Sequence, residues 1–174
     1  MAEEEKKQHS EAIEWLKSIV FAVIIALLIK TFLFDFVLVQ GSSMYPTLEN
    51  NDRLVLNKIE YLIGEPDYGD IVVLKATETE DYVKRVIAKG GDTIAIKDQV
   101  VYLNGVALTE DYINTDPYDD FDEVTVPEGC YFVMGDNRAN SSDSRYTTVG
   151  FVEKERIKGH VIFRFWPFSD FGTV

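Results

Sequence analysis

The sequence predicts a mostly β protein: a single N-terminal transmembrane helix followed by one β-rich, barrel-like domain. Three observations predict it. Residues 12–34 are dominated by Ile, Val, Leu, Phe and Ala. After Asp35 short β-type runs replace that stretch. Turns rich in Gly, Asn and Asp separate the runs, with no internal repeat and no long linker. The expected division is a polar tail over 1–11, an anchor over 12–34 and one domain over 35–174.

Each element has its own warrant. Residues 1–11 are polar and read as a solvated tail. Ile19–Ile29 carries no polar side chain, and Lys17 and Lys30 bracket it, placed to snorkel toward headgroups. A span needs about 20 residues, which 12–34 supplies with room for tilt. A buried core helix and a cleaved leader compete with this reading. Phe36-Val37-Leu38-Val39 continues apolar with no small-residue cleavage site, against a leader; the position beside a polar tail argues against a core helix.

Strands follow at 36–39, 53–56, 71–74, 82–88, 93–96, 100–103, 124–126, 130–134 and 160–166. Asn104-Gly105 after Val100–Leu103 signals a tight hairpin, because both residues tolerate positive φ. Gly90-Gly91-Asp92 is a second turn, and Asp111–Glu123 reads as a solvated acidic loop. Phe163-Arg164-Phe165-Trp166-Pro167-Phe168 is densely aromatic. Phe163 and Phe165 suit an inner strand face, while Trp166 and Phe168 suit an interface with lipid.

Composition removes several function classes. The formal net charge of −13 excludes phosphate-driven nucleic-acid binding. It also means that attachment to anionic lipid has to be apolar. Cys130 is the only cysteine, so no intramolecular disulfide forms. His9 and His160 are the only histidines and lie in unrelated segments. His160 sits in an alternating run and reads as a surface strand residue. Histidine-based catalysis and histidine-bound zinc therefore have little to draw on.

Three segments can carry chemistry. Gly41-Ser42-Ser43-Met44-Tyr45-Pro46-Thr47-Leu48 places a serine just beyond a strand, near the anchor. Taken alone, a plain Gly-Ser turn closed by proline is the better reading. In Tyr82–Ala88 alternation puts Tyr82, Lys84, Val86 and Ala88 on one face, and Val83, Arg85 and Ile87 on the other. Lys84 then lies among apolar neighbours and Arg85 can reach water. Desolvation lowers a lysine pKa and makes a neutral amine available as a general base. A half-exposed surface lysine is the ordinary alternative. The third segment, Met134–Arg145, is rich in Gly, Asp, Asn, Ser and Arg, which build rigid turns. Asp143 and Arg145 within it can pair as a charged clamp.

Together, in this order, the segments resemble the serine box, lysine box and Gly-Asp-Asn-Arg…Ser-x-Asp-Ser-Arg box of the bacterial type I signal peptidases. The resemblance runs from the anchor to about Trp166. It implies a catalytic domain outside the cytoplasm, anchored in the bacterial cell membrane by one pass, that removes signal peptides from exported preproteins. It implies Ser43 as nucleophile, Lys84 as general base and Ser141 as the hydroxyl that holds the lysine amine. Asp143 and Arg145 match the supporting pair, and Asp136, Asn137 and Arg138 a structural turn. Some relatives carry a serine where Gly41 stands, whose hydroxyl helps bind the oxyanion. Here the backbone N–H of Ser43 has to carry more of that load. The short length resembles the compact Gram-positive type.

The implied mechanism needs no metal or cofactor. An extended substrate segment lies along Phe36–Val39 and Tyr82–Lys84, with Val37, Met44 and Val83 lining shallow pockets for small residues. The expected partners are preproteins and membrane lipid, with the enzyme a monomer. Two rivals remain at this level. Self-cleaving repressors of the DNA-damage response share Ser/Lys chemistry, but their DNA-binding domain and cleavable linker are missing from this sequence. A non-catalytic tethered β domain would not need Ser43 and Lys84 together.

Overall fold

The computed structural model describes the backbone of residues 2–114 and 116–174, and the side chains of 13–30, 32–61, 63–114 and 116–174. The chain opens with α1 (Ala2–Phe32) and continues into β1 (Phe34–Leu38) and β2 (Arg53–Asn57). A one-turn helix α2 (Glu60–Ile63) precedes β3 (Ile71–Lys75), β4 (Asp81–Lys89), β5 (Thr93–Lys97) and β6 (Val100–Leu103). Then come β7 (Val106–Ala107), β8 (Phe121–Thr125), β9 (Cys130–Met134), β10 (Val152–Glu153), β11 (Ile157–Trp166) and β12 (Gly172–Thr173).

The strands form two sheets. The larger runs β1-β2-β11-β3-β4-β9-β10, with β12 beside β11; the smaller runs β7-β6-β5-β8. Every pairing is antiparallel. The expected barrel does not close, because the large sheet ends at β1 and β10 and the small sheet is separate. The break falls at the Gly90-Gly91 turn, where Gly91 adopts a φ of 88° and the chain leaves β4 for β5 of the other sheet. The Asn104-Gly105 hairpin forms as the sequence predicts, with φ of 52° and 76°.

One detail of register makes the groove. β9 pairs with β4 only over Arg85–Lys89, whereas β3 pairs with it over Asp81–Arg85. The Asp81–Lys84 half of β4 therefore has a free edge, and so does the outer side of β1. The strands beneath are covered on both faces: Ile71–Leu74 of β3 are all buried, as a continuous apolar run requires. One core packs Leu54, Leu56, Val73 and Val161 under Met44 and Leu48. Another packs Ile94, Ile96, Phe132 and Met134 between the sheets.

Two expectations change at the level of elements. The stretch over 111–123 is not uniformly solvated: Phe121–Thr125 is β8, paired to β5, and the Tyr118 hydroxyl donates to the Gln99 carbonyl at 2.5 Å. Its aromatic residues pack while its carboxylates face water, a mixture that acidic composition masks. Second, α1 is one helix through both the tail and anchor regions. Among the described residues no helix is long and apolar enough to cross a membrane. Glu14, Lys17 and Lys30 interrupt it, and the unbroken run Ile19–Ile29 rises only about 16 Å, against a hydrocarbon thickness of about 30 Å.

Candidate active site

Ser43 lies in the turn after β1, and three contacts fix it there. The Asn137 N–H donates to the Ser43 carbonyl at 3.0 Å. The Asn137 side-chain amide donates to the Ser42 carbonyl at 3.0 Å, and that of Asn140 to the Ser42 hydroxyl at 2.9 Å. The third segment of the sequence therefore clamps the first from its far side. Gly135 permits this closeness, since a Cβ there would run into the Ser43 carbonyl and the Ser141 side chain.

Lys84, on the free-edged half of β4, brings its Nζ to 2.8 Å from Ser43 Oγ. The residue is 2 % exposed. Desolvation pulls its pKa down to about 8, against the nearby carboxylates of Asp143 and Asp136, while Arg145 adds to the lowering. A neutral amine is thus accessible near physiological pH, within hydrogen-bond reach of a hydroxyl. That arrangement can deprotonate a serine for attack on a carbonyl.

The surrounding box is a set of largely buried pairs. Arg145 Nε and Nη2 donate to Asp143 Oδ1 and Oδ2 at 2.8 and 2.9 Å, the clamp expected from sequence. Asp143 also accepts from the Gly135 N–H at 3.0 Å. Ser144 Oγ accepts from the Val133 N–H at 2.9 Å, which ties the box to β9. Asp136 accepts from Arg85 Nε and Nη2 at 2.9 and 2.6 Å and from the Thr47 hydroxyl at 2.5 Å. Arg85 was expected to reach water; its side chain is only 12 % exposed because Asp136 covers it. Arg138 is 1 % exposed and donates through both terminal nitrogens to Glu110, at 2.8 and 2.5 Å.

Ser141 departs from its expected part. It is buried close to Gly135, but among the described residues its Oγ has no hydrogen-bond partner, so it does not hold the lysine amine in this structure. The backbone N–H of Ser43 donates to no group among the described residues. Val37, Met44 and Val83 line one groove of about 610 Å³ with Ser43 and Lys84. Leu56 and Val73 also line it; they stand in register with Asp35 and Val83, a pairing between distant strands that the pattern of a single strand does not reveal. Glu110 and Tyr112 were also missed, Tyr112 within the stretch read as solvated and Glu110 immediately before it. His160 lies outside the groove, its Nδ1 3.0 Å from Glu60 Oε2 and its ring stacked on Tyr61.

The chain as a whole is similar to known proteins. The family described as signal peptidase, peptidase S26, matches residues 12–166. The chain is 46% identical to signal peptidase I T of Bacillus subtilis, covering 95% of this chain and 91% of that protein. It is 43% identical to a signal peptidase I of Bacillus amyloliquefaciens, covering 98% and 97%. A crystal structure of a signal peptidase I from Enterococcus faecalis aligns with a TM-score of 0.50 at 35% identity, covering 57% of this chain and 98% of that one. With a family match over most of its length and near-full-length relatives at such identity, this chain belongs to the bacterial type I signal peptidases of the peptidase S26 family.

Proposed function

We propose that the protein cuts signal peptides from exported preproteins with a Ser43/Lys84 dyad, at the outer face of the cytoplasmic membrane. The observation that carries the dyad is the 2.8 Å contact between a buried, pKa-lowered amine and the serine hydroxyl. Lys84 takes the Ser43 proton as Oγ attacks the scissile carbonyl. The tetrahedral oxyanion collects the free Ser43 N–H. Lys84 then protonates the leaving amine, leaving an acyl-enzyme on Ser43, and activates the water that hydrolyses it. Asp143 and Arg145 support the geometry, and the Ser141 hydroxyl is free to take up the lysine amine during turnover.

The cleavage segment enters as an extended strand between the free edges of β1 and the first half of β4. Val37, Met44 and Val83 then face its side chains in shallow apolar pockets. Membrane attachment is supported by two surfaces. α1 exposes Trp15, Leu16, Phe21 and Leu27 at 58–73 % around its circumference, a pattern that water does not favour. Snorkelling of Lys17 and Lys30 lengthens its effective apolar span. Near the β1 edge, Phe36, Trp166, Phe168 and Phe171 are also exposed. Both surfaces suit lipid, with the groove at bilayer level.

Cleavage of a model preprotein in detergent tests the dyad. Ser43→Ala and Lys84→Met each lower kcat by about 10³-fold or more with the fold retained. For the wild type, kcat/KM climbs with pH until the amine is neutral and levels off above about pH 8. Near-normal turnover by Lys84→Met would mean that another group is the base.

A further inference from the structure

Between β7 and β8 the chain passes over the catalytic box, and three residues spaced two apart each touch a different part of it. Glu110 takes both terminal nitrogens of the buried Arg138. The Tyr112 ring lies 4.0 Å from the Arg85 guanidinium carbon, and its hydroxyl donates to Glu110 at 2.7 Å. The Asn114 amide donates to Asn137 Oδ1 at 3.1 Å. Arg85 pairs with Asp136, and Asn137 holds the Ser42 and Ser43 carbonyls. Two of the three contacts thus end beside the reacting pair, at Asn137 bonded to the Ser43 carbonyl and at Arg85 next to Lys84 in β4, while Arg138 reaches it only through Gly135 and Arg145; none of the three residues lines the groove.

We propose that residues 110–114 form a strap that positions the catalytic serine and lysine, with Tyr112 as the main positioning residue. Tyr112 acts by holding Arg85 against Asp136. A guanidinium stacked on a ring and forked onto a carboxylate has its plane fixed from two sides. Asn114 acts separately, fixing the Asn137 side chain that grips the serine turn. The inference rests on the Ser43/Lys84 reading.

The strap also touches the chemistry electrostatically. Around the Lys84 amine stand the carboxylates of Asp136 and Asp143, the Arg145 guanidinium and, on its own strand, the Tyr82 ring. Asp143 is neutralised by Arg145 within the box and Asp136 by Arg85. With its ring support removed, Arg85 keeps Asp136 and an exposed bond to the Gly69 carbonyl at 2.9 Å, and each excursion toward water bares Asp136 and raises the affinity of Lys84 for its proton. Tyr112 thereby bears on where the amine titrates as well as on where it sits.

The test is steady-state cleavage of a model preprotein by the full-length chain in detergent, over a range of pH. Tyr112→Leu is expected to lower kcat by about threefold to tenfold with KM nearly unchanged, and to move the acid limb of kcat/KM to higher pH. Tyr112→Phe, which keeps the ring, retains the wild-type limb. Asn114→Ala lowers kcat without moving the limb, and it decides the matter if Tyr112→Leu does not fold. Melting curves confirm folding. Wild-type kcat and limb in folded Tyr112→Leu, or wild-type kcat in Asn114→Ala where Tyr112→Leu is unfolded, overturn the strap. So does equal impairment of Tyr112→Phe and Tyr112→Leu. Lys84→Met and Ser43→Ala run alongside: if they are inactive while the strap variants match wild type, only the strap fails, whereas cleavage by Lys84→Met removes both readings.

Discussion

Single residues at this site trade stability for reactivity, and Lys84 shows it most directly. Its pKa falls from 10.5 to about 8 on folding because burial penalises the ammonium. Between those values the folded state holds fewer protons than the unfolded chain, so stability rises with pH across that window. Below about pH 8 the penalty is fully present, on the order of 3 kcal/mol. Lys84→Met is therefore expected to stabilise the protein while abolishing turnover. The gain, read by urea unfolding at pH 7, 8 and 9, should shrink by about 1.4 kcal/mol per pH unit above about pH 8. A gain that stays constant with pH would show that burial does not perturb this amine. Gly135→Ala is the companion case. Its Cβ has no room beside the Ser43 carbonyl and Ser141, so the serine turn must shift. Displacing a nucleophile by about 1 Å costs on the order of 10²-fold in kcat. An unchanged kcat in that variant would mean the turn has slack.

At the scale of elements, the serine turn is held from below by β11 as well as from the side by the box. Arg164 of β11 donates to the Thr47 carbonyl at 3.2 Å and to Asp52 at 2.9 Å. Asp52 is 3 % exposed and also accepts from the Glu49 N–H at 3.0 Å. Arg164→Ala leaves that carboxylate buried without its partner. Since Arg164 itself is partly exposed, the expected loss is at the low end for a broken buried pair, about 3 kcal/mol. Differential scanning calorimetry checks this, and a melting point unmoved from wild type would refute it. Much at this scale was legible beforehand. Cys130–Met134 is a strand with the same bounds that its apolar run suggested, and Asn104-Gly105 turns as its φ preferences dictate. Arg85 was read to the correct face but the wrong environment. Alternation fixes which way a side chain points and carries no information on what lies opposite, here Asp136.

For the whole molecule, the proposed attachment of so acidic a chain to a membrane has to be apolar. The described part of α1 keeps its apolar side chains exposed, and Trp166 and Phe168 give the β domain an exposed aromatic surface of its own. If α1 lodges in the bilayer, a charge near the middle of its apolar run is costly. Ile24→Asp should reduce co-flotation with neutral lipid vesicles, since a central Asp costs about 3 kcal/mol. Cleavage of a soluble peptide substrate should persist, because the groove is built from 35–174. Equal flotation of variant and wild type would argue that α1 does not hold the membrane.

By itself the sequence determined the local structure and pointed to the proposed chemistry: most of the strands, the tight turns, the serine and lysine with their box, and the scarcity of histidine. Those depend on residue type, alternation and turn preference, which act over a few positions. Only the tertiary structure decided what meets across long separations. It brought Ser43 within reach of Lys84, put Glu110 on Arg138 and Tyr112 on Arg85, left Ser141 Oγ unpaired, and split the strands into two open sheets rather than a barrel. The reason is physical. Burial and pairing are properties of both partners together, and a strand's own residues do not specify which distant segment will exclude water from it.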